Sequence, residues 1–394
     1  MCAAIHAARS GAEVTIIEKN ESLGKKLSMT GNGRCNLTNL DMREECYNTA
    51  ARGRMKKWLA AFDADDVRCF FKSLGVVTVS EDGYIYPTSG QARTVVDALE
   101  NEIRRLGIKV IFKEQFKGIR AEDKAGPIEI ATSGGKYAAD ACIIAVGSLS
   151  GPKSTLSTGD GYYICGKLGM NIKDTYPALV GFKCRNGEIM PSQGVRINAG
   201  ISFTLGDEVI ACETGEVQFT PEGISGIPVM QASRDIVKLV RDKKPICAVV
   251  DFFPGYSDEE FDALKKEMLA LKDDRTLSEF LVGFSNSNIT DVILKKMKLS
   301  PGMKMRNISG SMAECILDSY RSLKIFLDSD QGYQASQVTT GGISLGDISD
   351  DFSYVRDNRI FAIGEILDVD GRCGGYNLQF AFTSASIAGR ASAS

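Results

Sequence analysis

The apolar and polar positions open with an alanine-rich segment, "MCAAIHAARS", which predicts a helix over 1–10 that packs closely on a sheet. Ser10-Gly11 stops it, and the next apolar run predicts a strand over Glu13–Glu18 that ends in an acid. A glycine-rich loop, "LGKKLSMTGNGRCNLTN", follows, and residues 50–75 read as two helices. "GVVTVSEDGYIYP" alternates as a hairpin turning near Asp82-Gly83. Val95, Val96, Leu99, Ile103 and Leu106 recur at the helical period and predict a helix over 91–106. Strands are expected at 108–113, 116–121, 127–132 and 136–140, with a buried run "CIIAV" at 142–146. Helices alternating with apolar strands predict an α/β sheet with an antiparallel appendage.

The pattern changes near Tyr176-Pro177. From there to about 253 the chain reads as strands with repeated glycine turns, and 257–323 reads as mostly helical. Ser257 and Glu260 form a candidate capping box. After "KIFLDSD" the α/β character returns with a Gly341-Gly342 turn, a strand "RIFAIGE" and a final helix from about Tyr376. The expected organisation is one α/β domain in two parts, 1–176 and 331–394, interrupted by an insert at 177–330. No internal repeat or low-complexity segment is visible.

Composition narrows the chemistry. Of 394 residues, 43% are hydrophobic and 25% charged, values of a soluble enzyme with a sizeable core. The one histidine, His6, excludes multi-histidine metal sites and leaves Ser-His catalysis nothing else to work with; in its apolar helix it reads as packing. A net charge of −3 and the absence of a Lys/Arg cluster give no field for nucleic acid, so no nucleic-acid partner is expected. Eleven cysteines, an odd number at irregular spacings without a C-x-x-C pair, read as reduced thiols and hence a cytoplasmic protein. No signal segment opens the chain and no apolar run reaches ~18 residues, so no membrane partner is expected. Forty glycines exceed the usual ~7% and ask for a use.

A strand ending in an acid after a small-residue helix is the second half of a dinucleotide-binding unit, in which that acid, here Glu18, accepts the ribose hydroxyls. The glycine motif belongs ~20 residues upstream. Counting back places its last glycine just before Met1, so the first strand and phosphate loop are expected to be missing from this chain. Three further segments support a nucleotide site. "TGNGRCNLTN" at 30–39 lets backbone N–H groups approach a pyrophosphate or ring. Gly147 follows a strand, and Ser157-Thr158-Gly159-Asp160-Gly161 enters a helix. A strand ends at Gly364-Glu365, and Gly374-Gly375 opens a long helix whose N-terminus suits an electron-rich ring edge.

These segments resemble the YhiN/BaiN-like flavoproteins, also called aminoacetone oxidase family FAD-binding enzymes. The likeness is carried by "EKN", "LGKKL", "TGNGRCNLTN", "STGDGY", "VTTGGISL" and "GEILDVDGRCGGYNLQFAFTSASIAG", which run along nearly the whole chain. The resemblance implies a glutathione-reductase-like FAD-binding Rossmann domain with an inserted β subdomain and α subdomain. It implies that Glu18, with Lys19 beside it, binds the adenosine ribose and that Lys26 lies near the phosphates. Gly31, Gly33, Arg34, Cys35 and Asn36 would line the flavin and ribityl region. Gly147 and Asp160 would approach the cofactor, with Val146 where the family usually has threonine. Gly364 and Glu365 would meet the ribityl chain or phosphate, and Gly375, Tyr376, Asn377 and Leu378 the flavin pyrimidine edge.

The implied activity is hydride transfer between FAD and a small organic substrate, an enone, a steroid or an amine, with NAD(P)H as a candidate electron donor. The alternative is a cofactor-free relative acting as an interaction protein. Cys35 and Cys373 read as structural or positioning thiols, because no close second cysteine accompanies either. Arg34 and Arg372 either anchor an anion or fold their loops. Tyr162, Tyr163 and Tyr376 are aromatic candidates whose default is core packing. No catalytic acid or base is assignable.

Overall fold

A computed structural model describes residues 1–121, 126–185, 189, 192–271 and 273–394. The chain folds as two compact units, Met1–Tyr176 with Gln337–Ser394, and Pro177–Ser336.

In the first unit the helix Cys2–Arg9 packs on the final helix, Tyr376–Ala391. Small residues allow the contact: a Cβ at Gly389 would lie 2.5 Å from the Ala3 carbonyl oxygen. The strand Thr15–Glu18 pairs in parallel with Lys109–Phe112, from Thr15↔Lys109 to Glu18↔Phe112. A second parallel pair joins Cys142–Ile144 to Asp357–Ala362, flanked by the short antiparallel strand Ser353–Tyr354. The loops that matter for function leave the carboxyl ends of these parallel strands, where open α/β sheets bind ligands. The antiparallel appendage is a three-stranded sheet, Phe116–Arg120, Ile128–Thr132 and Lys136–Ala139. A hairpin, Thr78–Glu81 with Tyr84–Pro87, turns at Asp82-Gly83 and adds Thr38–Asn39 as its third strand.

One expectation fails here. The run at 142–146 is not buried throughout: the strand ends at Ile144, Ala145 is exposed and Val146 is 37% exposed. The chain leaves the sheet after Ile144 and turns at Gly147, with φ 76°.

The second unit is a six-stranded closed barrel in the order Phe182–Cys184, Gly223–Gly226, Glu208–Phe219, Arg196–Leu205, Ile246–Asp251, Leu323–Asp330. The last strand closes it by pairing with both Ile246–Asp251 and Phe182–Cys184. Phe182, Phe203, Phe219, Ile224, Val250 and Ile325 are buried in this unit's core. The stretch to 253 is not purely strand and turn, because it contains the fifteen-residue helix Ile227–Arg241. Its buried Val229, Ala232, Ile236, Val237 and Val240 follow the helical period, and Pro228 sits in its first turn, where proline is tolerated. Helices Asp258–Ala270, Leu277–Phe280, Ser287–Lys296 and Gly310–Asp318 complete the unit. Ser257 caps the first of them: its side chain accepts from the Glu260 N–H at 3.2 Å, and the Glu260 carboxylate accepts from the Ser257 N–H at 2.8 Å.

Candidate functional site

The first strand ends with its acid already oriented. Glu18 Oε1 accepts from the Asn20 backbone N–H at 2.8 Å and from Asn20 Nδ2 at 2.7 Å. Asn20 Oδ1 beside it is buried without a hydrogen-bond partner. A buried acceptor left alone is costly, and here it lies next to a carboxylate with a free second oxygen. Two such acceptors suit a pair of hydroxyl donors. Lys19 contributes charge to Asp160, which opens the helix Asp160–Lys167 behind the left-handed Gly159. Burial opposes ionisation of Asp160. Hydrogen bonds from Gln115 and Thr158, with the Lys19 charge, outweigh it and hold the carboxyl below its usual range.

Lys26 and Glu365, 339 residues apart, form a salt bridge. The Ser148 hydroxyl donates to the same Glu365 oxygen at 3.3 Å, and Tyr162 donates its O–H to the Glu365 carbonyl at 3.4 Å. The cation lets an acid stand where a phosphate or ribityl hydroxyl is expected. Gly364 bends into this position with φ 70°, its N–H held by Ser384 Oγ at 3.1 Å.

The loop Leu27–Gly33 is a short 3-10 helix broken at Thr30–Asn32, with Gly31 at φ 56° and Gly33 at φ 84°. It carries Asn36 under the start of the final helix. Its neighbours assign the Asn36 amide orientation: with the nitrogen turned to the two carbonyls it donates to Thr38 at 2.8 Å and Ile85 at 3.2 Å, and its oxygen accepts from the Gly375 N–H at 3.3 Å. Gly375 is left-handed, φ 92°, and a Cβ there would sit 2.6 Å from the Thr38 carbonyl carbon and oxygen. Asn377 fastens the preceding loop, accepting from the Gly371 N–H at 2.7 Å and donating to the Gly371 carbonyl at 3.0 Å. The N–H groups of Tyr376, Asn377 and Leu378 occupy the first turn, where a helix supplies no acceptor and carries positive charge.

Two of the expected ligand-lining side chains are engaged elsewhere. Arg34 donates to both Glu81 oxygens, at 2.6 and 2.7 Å, and lies 4.2 Å over the Tyr86 ring, so it fastens its loop to the hairpin. Cys35 is fully buried with φ 62°, and burial raises its thiol to about 11. That thiol is neither a ready nucleophile nor exposed to a second sulfur; none of the eleven cysteines forms a disulfide. Asn20, Ser148 and Gln115 were not singled out in the sequence. Asn20, two residues beyond the strand-end acid, carried the clearest signal, since Asn at that spacing hydrogen-bonds locally. Ser148 and Gln115 gain their roles only through partners 217 and 45 residues away. Among the described residues no group of three or more His, Cys, Asp or Glu side chains could hold a metal ion. No helix among them is long and apolar enough to cross a membrane.

The residues present fit FAD: paired acceptors at a strand end, a lysine-balanced acid, and an acceptor-free helix start approached by glycine.

The comparisons agree. The family model described as "HI0933-like protein Rossmann domain" matches residues 1–391. A 3-dehydro-bile acid delta(4,6)-reductase of Clostridium scindens is 35% identical over 99% of this chain and 96% of its own length. A ribosomal RNA dihydrouridine synthase of Haemophilus influenzae is 25% identical over 98% of this chain and 93% of its own. In fold the chain is similar to a 3-ketosteroid delta1-dehydrogenase from Sterolibacterium denitrificans, with TM-score 0.51, 10% identity, and coverage of 100% and 97% of the two chains. The cofactor-free alternative is set aside by these relatives. The chain belongs to the HI0933-like family of FAD-binding Rossmann proteins and is a flavin-dependent oxidoreductase.

Proposed function

We propose that this enzyme reduces an alkene conjugated to a carbonyl in a small, flat, largely apolar molecule of the steroid class. The observation that carries the reading is the 35% identity, along essentially the whole chain, to a reductase named for the 4,6-double bonds of a 3-dehydro bile acid. A double bond at C4 beside a 3-oxo group is a conjugated enone. The more distant relatives are named for making dihydrouridine in ribosomal RNA. The 5,6-double bond of uracil is likewise conjugated to a carbonyl, so both names describe the same bond chemistry.

Bound FAD supplies the hydride; this chain supplies orientation and electrostatics. In this reading Glu18 and Asn20 receive the adenosine ribose, and Lys26 balances both Glu365 and the pyrophosphate. The first-turn N–H groups of the final helix favour electron density on the pyrimidine edge of the ring. NAD(P)H is the proposed electron donor, and eleven cysteines without a disulfide support a reducing, cytoplasmic setting.

The RNA reading has one supporting feature, which corrects the expectation of no basic cluster. Lys295, Lys296, Lys298, Lys304 and Arg306 follow one another without an intervening acid. Two of these are occupied, Arg306 by Asp274 at 2.9 Å and Lys296 by the Lys324 carbonyl at 2.8 Å. The net charge of −3 adds no general attraction for a polyanion.

The test is anaerobic reduction of the holoprotein with NADH or NADPH, followed by mixing with 3-oxo-4-ene steroids, simple amines or a uridine-containing RNA. Rapid reoxidation by the enone alone is expected. Reoxidation by RNA and not by enones would replace the substrate class, and turnover of amines alone would refute the reading.

A further inference from the structure

The hairpin sheet ends on an open side. Its strand order is Thr38–Asn39, Tyr84–Pro87, Thr78–Glu81, so Thr78–Glu81 has a strand on one side only. The register runs without a bulge from Thr78↔Pro87 to Glu81↔Tyr84. Pro87, which has no N–H to give, stands opposite Thr78, and the Thr88 N–H donates to the Val77 carbonyl at 2.9 Å. Opposed residues in an antiparallel pair alternate between bonded and non-bonded, so the peptide groups of Val77, Val79 and Glu81 face the hairpin partner. The N–H and C=O of Thr78 and Ser80 therefore point to the open side, where no strand among the described residues meets them.

An open edge is commonly blunted by a lysine, a proline or a bulge. Residues 77–81, Val-Thr-Val-Ser-Glu, carry none of these. Val77 is 68% exposed and Val79 41%. Opposed residues share a face, so Val79 stands with Tyr86, and Val77 and Glu81, two positions to either side, lie on that face too. The single charge on the strand is already neutralised, because both Glu81 oxygens accept from Arg34, at 2.6 and 2.7 Å.

The strand is complementary to itself. When it is laid antiparallel to a second copy about a two-fold axis at Val79, Thr78 faces Ser80 of the second copy and Ser80 faces its Thr78. All four are outward-pointing residues, so each pair exchanges two hydrogen bonds and no free peptide group of either residue is left over. Val79 meets Val79, which extends an apolar row from Tyr86 of one copy to Tyr86 of the other. Glu81 faces Val77, and the two Glu81 residues stand roughly 13 Å apart along the ladder. An axis at Thr78 would call on the Val76 N–H, which already donates to the Phe71 carbonyl at 2.9 Å. An axis at Ser80 would bring the two Glu81 residues within roughly 7 Å of each other along the ladder.

We infer that the strand Thr78–Glu81 pairs antiparallel with the same strand of a second copy of this chain, joining two three-stranded sheets into one of six. Only a short ladder is made, so the contact belongs to the weak, concentration-dependent class and not to permanent dimers. A two-fold pairing closes on itself and stops at two copies. Strand addition of this kind draws its affinity from main-chain hydrogen bonds and its selectivity from the side chains that alternate beside them. It needs neither flavin nor substrate.

Sedimentation velocity of the holoprotein between roughly 5 and 500 µM should show the mean mass rising from one chain toward two by mass action. Ser80→Pro removes an outward N–H that the intrachain ladder does not use, and Val79→Lys sets a charge at the axis. Both are expected to stay monomeric, with the FAD content of wild type. Crosslinking reads the register: Val79 against Val79 is a non-hydrogen-bonded pair with Cα atoms about 4.5 Å apart, inside the disulfide range. Under mild oxidation Val79→Cys should give a disulfide dimer roughly tenfold or more faster than Val77→Cys, whose counterpart lies ~13 Å away. It should equally outpace the unsubstituted protein, whose Cys69, Cys212 and Cys315 are exposed. A monomer at every concentration, with Val79→Cys crosslinking no faster than Val77→Cys, would overturn the inference; binding of a synthetic 76–82 peptide by that monomer would make a foreign strand the occupant. A dimer that survives both Ser80→Pro and Val79→Lys overturns it too, because the contact then lies elsewhere. If Ser80→Pro fails to fold, Val79→Lys decides alone.

Discussion

Replacing Gly375 by alanine tests what fixes the start of the final helix. Two costs add at this position. A left-handed backbone costs a non-glycine residue ~1–2 kcal/mol. The new Cβ would also lie 2.6 Å from the Thr38 carbonyl carbon and oxygen, backbone atoms that cannot swing aside. Thr38 is held in the hairpin sheet opposite Ile85, and its side chain is tied to Gln379 at 2.5 Å. Overpacking of this kind costs ~1–3 kcal/mol, for a total of ~2–5 kcal/mol. The matched control is Gly107→Ala, whose φ of 67° brings the strain while no atom lies within 4 Å of its Cβ. At ~2–4 °C per kcal/mol for a domain of this size, Gly107→Ala should lower Tm by roughly 5 °C and Gly375→Ala by roughly 10 °C. Differential scanning calorimetry on both variants, with FAD per chain measured by absorbance, separates stability from cofactor retention. Gly375→Ala should also lose most of its FAD, because the shift displaces the first-turn N–H groups; Gly107→Ala should keep it. Equal melting of the two variants with full FAD in both would refute the close-approach argument.

Two further perturbations act away from the site. His6 stacks on Phe70 at 5.0 Å with its Nε2 unpartnered, and burial, then the Arg390 and Arg9 charges, lower it to about 4. The unfolded chain takes up this proton near pH 6.5 and the folded chain refuses it until about 4, so stability is whole above 6.5 and falls by ~3 kcal/mol between the two. The difference in unfolding free energy between His6→Leu and wild type should shift by that amount between pH 7 and pH 4, and a constant difference would refute the assignment. Arg54 donates to the carbonyls of Leu345, Ile348 and Ser349 at 2.6–2.8 Å and to Asp350 at 2.9 Å, over the Trp58 ring. Lysine cannot reproduce this fan, so Arg54→Lys should lower stability by ~2–3 kcal/mol in urea unfolding and speed amide exchange at 345–350; unchanged exchange there would count against it.

Local features were legible in the sequence because local physics sets them. The helix Ala92–Arg105, the Asp82-Gly83 turn and the Ser257–Glu260 box depend on residues within a few positions of one another. The helix Ile227–Arg241 was equally local, yet its period was masked by the glycine turns around it. What was not legible is non-local. Closure of the barrel needs Leu323–Asp330 to pair with Phe182–Cys184 across more than a hundred residues. Exposure of Val146 depends on where the sheet stops, and "CIIAV" reads the same whether buried or half-open. In the site, the family likeness placed Lys26, Asn36, Glu365 and Gly375 in glycine-rich segments, but not the pairings among them. That Asn36 holds Gly375, or that Arg34 turns to Glu81, follows only from the folded chain.

These pairings also explain why no acid or base stood out. Lys26 with Glu365, Asn36 with Gly375, Ser150 with Thr339 and Asn48 with Asp370 each join the first 150 residues to the last 60 across the second unit. Apart from the Lys26–Glu365 ion pair and the Asp370 carboxylate, the groups they bring together are backbone N–H groups, amides and hydroxyls, which do not exchange protons at ordinary pH. His6, the usual candidate for proton transfer, is instead packed against Phe62 and Phe70 between the helices. Hydride chemistry at a flavin asks a protein chiefly for placement and for fixed dipoles where charge appears. A search for titrating pairs passes over such a site, whereas the hydrogen bonds that lead from Glu365 through Ser148 and Ser150 to Thr339 trace it.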